Sequence, residues 1–176
     1  MNVIKQGIKE INMYFNKDFE AMMDNYSKYP FGSKEYNIWL TCTFPYLYPR
    51  DKYGEPLSSE DYDFSYTILD EIPAGWRELI IEMCFKINKI LEQLEDFNEE
   101  DFYVSYMKEK FGLLRVGVMN SPSNSIIYTL MEYETKSGLI CQVCGEKATH
   151  FTLDWLGFYC ETHVPKGAIK INEYHE

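Results

Sequence analysis

The chain has few of the features that mark the common functional classes. No run approaches 18 apolar residues, so no membrane-spanning helix is predicted. The opening Met1–Phe15 is charged every few residues and has no small-residue cleavage site, so it does not read as a signal peptide. Only three histidines and five cysteines occur in 176 residues. Five cysteines in a chain of this length do not form a secreted disulfide framework, and the expectation is a cytoplasmic protein with thiols reduced or metal-bound. Bases are scarce too: 17 Lys and Arg stand against 28 Asp and Glu, a formal charge of −11. That balance excludes binding a phosphate backbone with the whole surface. No glycine-rich phosphate loop, Gly-x-Ser-x-Gly or His-Glu-x-x-His motif is present, and there is no internal repeat.

Aromatics, by contrast, are abundant at 16% of residues, with 15 Tyr, 11 Phe and 3 Trp. This argues for an ordered core. The acids are unevenly placed. Nineteen acids and ten bases lie in residues 1–100, against nine and seven in 101–176. No base falls between Lys52 and Arg77, an interval holding Glu55, Glu60, Asp61, Asp63, Asp70 and Glu71. A second run holds Glu92, Glu95, Asp96, Glu99, Glu100 and Asp101. Such runs serve either as solvated faces or as surfaces that meet a basic partner.

Apolar spacing predicts two long helices. Ile4, Ile8, Ile11, Phe15, Phe19, Met22 and Tyr26 form one helical stripe over 3–27, and Trp76, Ile80, Met83, Ile87, Ile90 and Leu94 another over 73–95. Ile38–Phe44 reads as a short strand. Residues 45–69 read as an aromatic loop pinned to the core. The β-rich runs 102–107 and 113–118 predict an antiparallel hairpin with a turn over 108–112. Ser123 or Ser125 caps a third helix over 125–137, and Gly138 stops it.

The C-terminal stretch carries the most specific signal. Cys141, Cys144, Cys160 and His163 spell Cys-x2-Cys-x15-Cys-x2-His. Each close pair aims two ligands at one point, and together they fill the corners of a tetrahedron that suits Zn²⁺. Thr149–Leu153 and Gly157–Tyr159, joined by a turn, would bring the pairs together as a zinc ribbon over 138–164. With four protein ligands the expected role is structural. His150 is a competing ligand that suits the geometry less well, and His175 falls in a tail, 165–176. Phe151, Leu153, Trp155 and Phe158 are too many apolar groups to leave wet, so the ribbon is expected to dock on the body formed by 1–137. The predicted class is α+β, with helices packed on a small antiparallel sheet and the ribbon at the C-terminus.

Three stretches together resemble a family of small uncharacterised proteins found in phages, prophages and mobile elements of low-GC bacteria. They are Asp61-Tyr-Asp-Phe-Ser-Tyr-Thr-Ile-Leu-Asp70 with Ile72-Pro-Ala-Gly-Trp-Arg77; Lys108-Glu-Lys-Phe-Gly-Leu-Leu-Arg115; and Cys141-x-x-Cys-Gly145 with Tyr159-Cys160. The likeness spans roughly 45–163. Leu113 stands where the family usually has a second glycine, and His163 where it usually has a cysteine, a swap that keeps the zinc chemistry. The family brings no assigned activity. What the resemblance implies is an accessory protein of a phage or mobile element.

Candidate sites follow in three groups. Asp61-x-Asp63 could hold Mg²⁺ through two carboxylates, or form a turn whose acids take local backbone N–H groups. Lys108, Lys110 and Arg115, beside Tyr103, Tyr106 and Phe111, form a small basic and aromatic cluster of the kind that contacts single-stranded nucleic acid. Glu55, Glu60, Asp61 and Asp63, with Tyr46, Tyr48 and Tyr53 as anchors, form a candidate partner-binding face. The composite expectation is a non-enzymatic zinc protein that binds and inhibits or modulates a protein or ribonucleoprotein complex in the host cytoplasm, of the kind a defence nuclease forms. The alternatives are a nucleic-acid-binding accessory protein and a metal-dependent enzyme.

Overall fold

A computed structural model describes residues 29–58, 60–95, 98 and 101–173. The stripe predicted as a helix over 3–27 lies outside the described residues, as do Asp96, Glu99 and Glu100 of the second acidic run. The fold is α+β: three α-helices packed with small antiparallel sheets.

The first helix, α1 (Lys34–Thr43), occupies the run read as a strand. Its β-branched and aromatic residues look strand-like, but a short apolar run has no decisive period. Ser33 decides the outcome by capping the helix, its hydroxyl accepting a hydrogen bond from the Tyr36 N–H at 3.2 Å. The Thr41 and Thr43 hydroxyls, which could compete with the helix, donate instead to Asn37 O and Trp39 O one turn back.

A short 3₁₀ turn (Ala74–Trp76) leads into α2 (Arg77–Leu91), which ends one turn earlier than its apolar stripe. Gln93 and Leu94 close i→i+3 bonds there, the tightening common at a helix end. The hairpin consists of β1 (Tyr103–Lys110) and β2 (Leu113–Met119). Its strands run longer than the sequence suggested, and the turn shrinks to Phe111-Gly112, with Lys110 opposite Leu113. Helix α3 (Asn124–Ser137) is capped by Ser123, whose hydroxyl accepts from Ser125 N–H at 3.1 Å. The C-terminal unit adds β3 (His150–Phe151), β4 (Phe158–Tyr159) and β5 (Ile169–Lys170) in the order β4-β3-β5. The third strand falls in the stretch read as a tail. It pairs with β3, and Ile171 N–H donates to Thr149 O at 2.9 Å.

Aromatics fill the core. Trp39, Trp76, Phe44, Phe102, Tyr62 and Tyr133 are all buried. Trp39 and Phe44 meet edge to face at 5.8 Å, and so do Phe44 and Phe85 at 5.0 Å. Buried hydroxyls find acceptors: Tyr46 donates to Cys84 O at 2.9 Å and Tyr133 to Glu82 Oε1 at 2.7 Å, the latter linking α2 to α3. Segment 45–69 is pinned to this core, as expected, through Tyr46, Tyr48, Tyr62 and Phe64. No described helix is long and apolar enough to cross a membrane.

Candidate metal centre

The C-terminal unit is built around two tight turns. In the first, Cys141 N–H donates to Glu146 O at 2.7 Å and Gly145 N–H returns to Cys141 O at 2.9 Å. Gly145 sits at φ +81°, a left-handed conformation that glycine adopts without a side-chain clash. In the second, His163 N–H donates to Cys160 O at 3.1 Å. The short ladder between β3 and β4 brings the turns together, extended by Gln142 N–H donating to Phe158 O at 3.0 Å.

The outcome is convergence. One ligand atom from each of Cys141, Cys144, Cys160 and His163 lies within 4.8 Å of all the others, so the four are close enough to hold a metal ion. Cys144 Sγ stands 3.7 Å from Cys160 Sγ, while His163 Nδ1 stands 3.3 Å from Cys160 Sγ and 3.8 Å from Cys141 Sγ. Burial pushes the Cys141 thiol up, but backbone N–H groups of Cys160, Cys144 and Val143 outweigh it and bring it down to about 7. That favours the thiolate at Cys141, whereas at Cys144 the Glu146 N–H lowers the thiol but desolvation and the neighbouring Cys160 and Cys141 sulfurs outweigh it and push it up. Cys42 and Cys84 contrast with Cys141: burial pushes both thiols up to about 12, as for inert core cysteines. His150 is not part of the cluster. It is buried, with Nδ1 2.9 Å from Thr149 Oγ1.

The cluster is seated on the body by a glycine to which the sequence assigns no role. Gly75, just before α2, donates its N–H to Gln142 O at 2.9 Å. A Cβ there would lie 2.0 Å from Cys141 O and 2.5 Å from Gly145 N. The first cysteine turn therefore lies directly on the backbone of residue 75. Beside it, Trp76 Nε1 donates to Ser137 O at 3.1 Å, and Ser137 Oγ accepts from Leu114 N–H at 2.8 Å. The start of α2, the end of α3, β2 and the candidate metal centre thus share one junction.

The other predicted sites fare unequally. Tyr46 and Tyr48 are core residues, 3% and 7% exposed, and cannot serve as interface anchors without unpacking the body. Tyr53 is 78% exposed. Glu55, Glu60, Asp61 and Asp63 are all exposed. Asp63 accepts from the Ser65 N–H at 3.0 Å, and Asp61 accepts from the Ser58 hydroxyl, so both acids serve local turns. Hydrogen bonds from Ser65 hold the Asp63 carboxyl below its usual range. In the basic cluster, Lys108 and Lys110 are exposed, with their ammonium groups 4.7 Å and 5.4 Å from the ring centres of Tyr106 and Phe111. Arg115 is diverted to an ion pair with Glu134 of α3. The apolar ribbon residues split as well. Phe151 is buried, but Leu153 and Trp155, expected to pack on the body, are exposed.

No family model matches this chain, and neither a curated protein nor a solved structure matches it.

Proposed function

We propose that this chain is a zinc-braced, non-enzymatic protein of a phage or mobile element that binds and inhibits or modulates a host complex. The complex would handle nucleic acid, as a defence nuclease does. Zinc is the metal favoured by the ligand set. Metal–sulfur bonds of about 2.3 Å and a metal–nitrogen bond of about 2.05 Å at tetrahedral angles separate two sulfurs by about 3.8 Å, and sulfur from nitrogen by about 3.6 Å. All four ligand atoms lie within 4.8 Å of one another, and three of their spacings, 3.7, 3.3 and 3.8 Å, lie close to those values. Three thiolates and an imidazole suit zinc and discriminate against hard, oxygen-seeking cations. Four side chains close the coordination sphere, so the ion supplies folding energy and leaves no position for substrate.

The observation that carries the binding role is the state of the acids between Lys52 and Arg77. Glu55, Glu60, Asp61, Asp63, Asp70 and Glu71 are all exposed, and none is in an ion pair among the described residues. They stand on a segment fastened to the core by buried tyrosines, with Tyr53 and Tyr66 exposed among them. A fixed carboxylate surface can occupy a basic groove meant for nucleic acid, and charge complementarity speeds the encounter. The resemblance to mobile-element proteins supplies the biological setting.

The test is capture of a host partner by the full chain, compared with the variant Glu55→Gln, Glu60→Gln, Asp61→Asn, Asp63→Asn. A stoichiometric protein partner is expected for the unmodified chain, released above about 0.3 M salt, where surface charges are screened. The neutralised variant should lose that partner while staying folded, with only the small drop in melting temperature that follows from weaker turn hydrogen bonds at Asp61 and Asp63. Absence of any such partner, together with turnover of a nucleotide or nucleic acid by the purified protein, would contradict the reading.

A further inference from the structure

The tip of the hairpin is built in an unfavourable way. Both Phe111 (φ +54°) and Gly112 (φ +74°) have positive φ, the sign pattern of a type I′ turn. Asn or Asp is usual at the first of these positions, and a phenylalanine there carries a backbone penalty. Burial does not compensate, because the Phe111 ring is 67% exposed. Gly112 beside it is packed against the β3–β4 connection: a Cβ on it would lie 2.8 Å from the Phe158 ring and 3.1 Å from Leu156 O. That connection presents Trp155, which is 76% exposed, whereas Trp39 and Trp76 are fully buried. The Trp155 carbonyl accepts a hydrogen bond from the Thr152 hydroxyl, and Thr152 N–H donates to Gly157 O at 3.1 Å, so the turn has a defined shape.

Two exposed aromatics from separate parts of the chain therefore flank one hollow, lined by Glu109, Lys110, Phe111, Asp154, Trp155 and Leu156. Lys110 lies at its wall, Lys108 is next on the exposed side of β1, and Lys166 lines a second hollow that also includes Trp155. None of the three lysines is in an ion pair among the described residues, in contrast to Lys86, Arg115 and Lys136. Two acids also line the hollow: Glu109, which accepts from the Gly112 N–H at 2.6 Å and keeps its charge, and Asp154.

We propose that this rim is a binding site for single-stranded nucleic acid, with bases stacking on Phe111 and Trp155 and phosphates meeting Lys108, Lys110 and Lys166. Stacking explains why a strained aromatic is held at the surface, and lysines without an ion pair, two of them resting near the Tyr106 and Phe111 rings, supply the complementary charge. The site is independent of the acidic face, and either can fail without the other.

The experiment titrates the full chain with a short fluorescein-labelled oligothymidylate at about 50 mM salt, where charge contacts are strong. Anisotropy of the label and tryptophan emission are followed together. Saturable binding is expected, with quenching of Trp155, since the other two tryptophans are buried. Trp155→Ala and Phe111→Asn should each weaken binding roughly ten-fold. Phe111→Asn should at the same time raise the melting temperature, because asparagine tolerates positive φ. A purely structural role for Phe111 would not separate the two readouts in this direction. No saturable binding up to about 100 µM, the weak end of non-specific affinity, overturns the proposal. Binding indifferent to both substitutions overturns it too, as does loss of a captured protein from Trp155→Ala when the oligonucleotide does not bind.

Discussion

The body and the C-terminal unit of this chain reach order by different routes. The body buries a connected set of aromatics, from Trp39 and Phe44 through Tyr62, Trp76 and Phe102 to Tyr133. The C-terminal unit has three strands of two residues each and leaves Val143, Leu153 and Trp155 exposed. Strands that short hold little free energy of their own. Convergence of four side chains that could hold a metal ion is what the second region has in place of a core. Small units of this kind draw their stability from the ion. A unit braced by an ion would be free to leave large side chains wet, and Trp155 is 76% exposed.

Removing the metal should break the comparison most completely. Chelation, or Cys141→Ser, is expected to unfold residues 139–173, because metal binding in small zinc units contributes on the order of 10 kcal/mol. Hydrogen exchange would check this: amides of β3 and β4 should lose protection while those of α2 about Ile80 and Met83 retain it. Equal loss in both regions would mean that the body depends on the ion as well.

Gly75→Ala attacks the junction between the two regions. A Cβ 2.0 Å from Cys141 O must displace the cysteine turn or the start of α2. Overpacking of this kind costs about 1–3 kcal/mol, and thermal denaturation should show it. Weaker metal retention in a competition with a chromophoric chelator should accompany the loss, since the displaced backbone carries a ligand. The smallest effect is expected for Trp155→Ala. A side chain this exposed should change stability by no more than about 0.5 kcal/mol. A larger drop would mean that the residue is structural.

How much of this could be read beforehand depended on where the decisive information lies. The four side chains that are close enough to hold a metal ion were legible because the spacing within each tight turn is itself the geometry. Helices α2 and α3 were legible from their stripes and from Ser123. Helix α1 was not, because Ile38–Phe44 is too short to show a period, and the capping Ser33 lies outside that run. Tyr46 and Tyr48 looked like anchors beside the acids, yet their burial depends on partners distant in sequence, such as Cys84 for the Tyr46 hydroxyl. The same holds for β5, which exists only because β3 offers it an edge. Trp155 misled in the opposite direction, since apolar character alone does not say which rings are left in water. Gly75 had no local signal at all: its role appears only once Cys141 lies on top of it.

Whether the C-terminal unit is braced by zinc turns on the identity and surroundings of one ion. X-ray absorption at the zinc edge, together with elemental analysis of the full chain purified without added metal, tests both. One zinc per chain is expected, in a shell of three sulfurs at about 2.3 Å and one nitrogen at about 2.05 Å. A chain folded without zinc, or a shell in which a water oxygen replaces one of the four side chains, would contradict it.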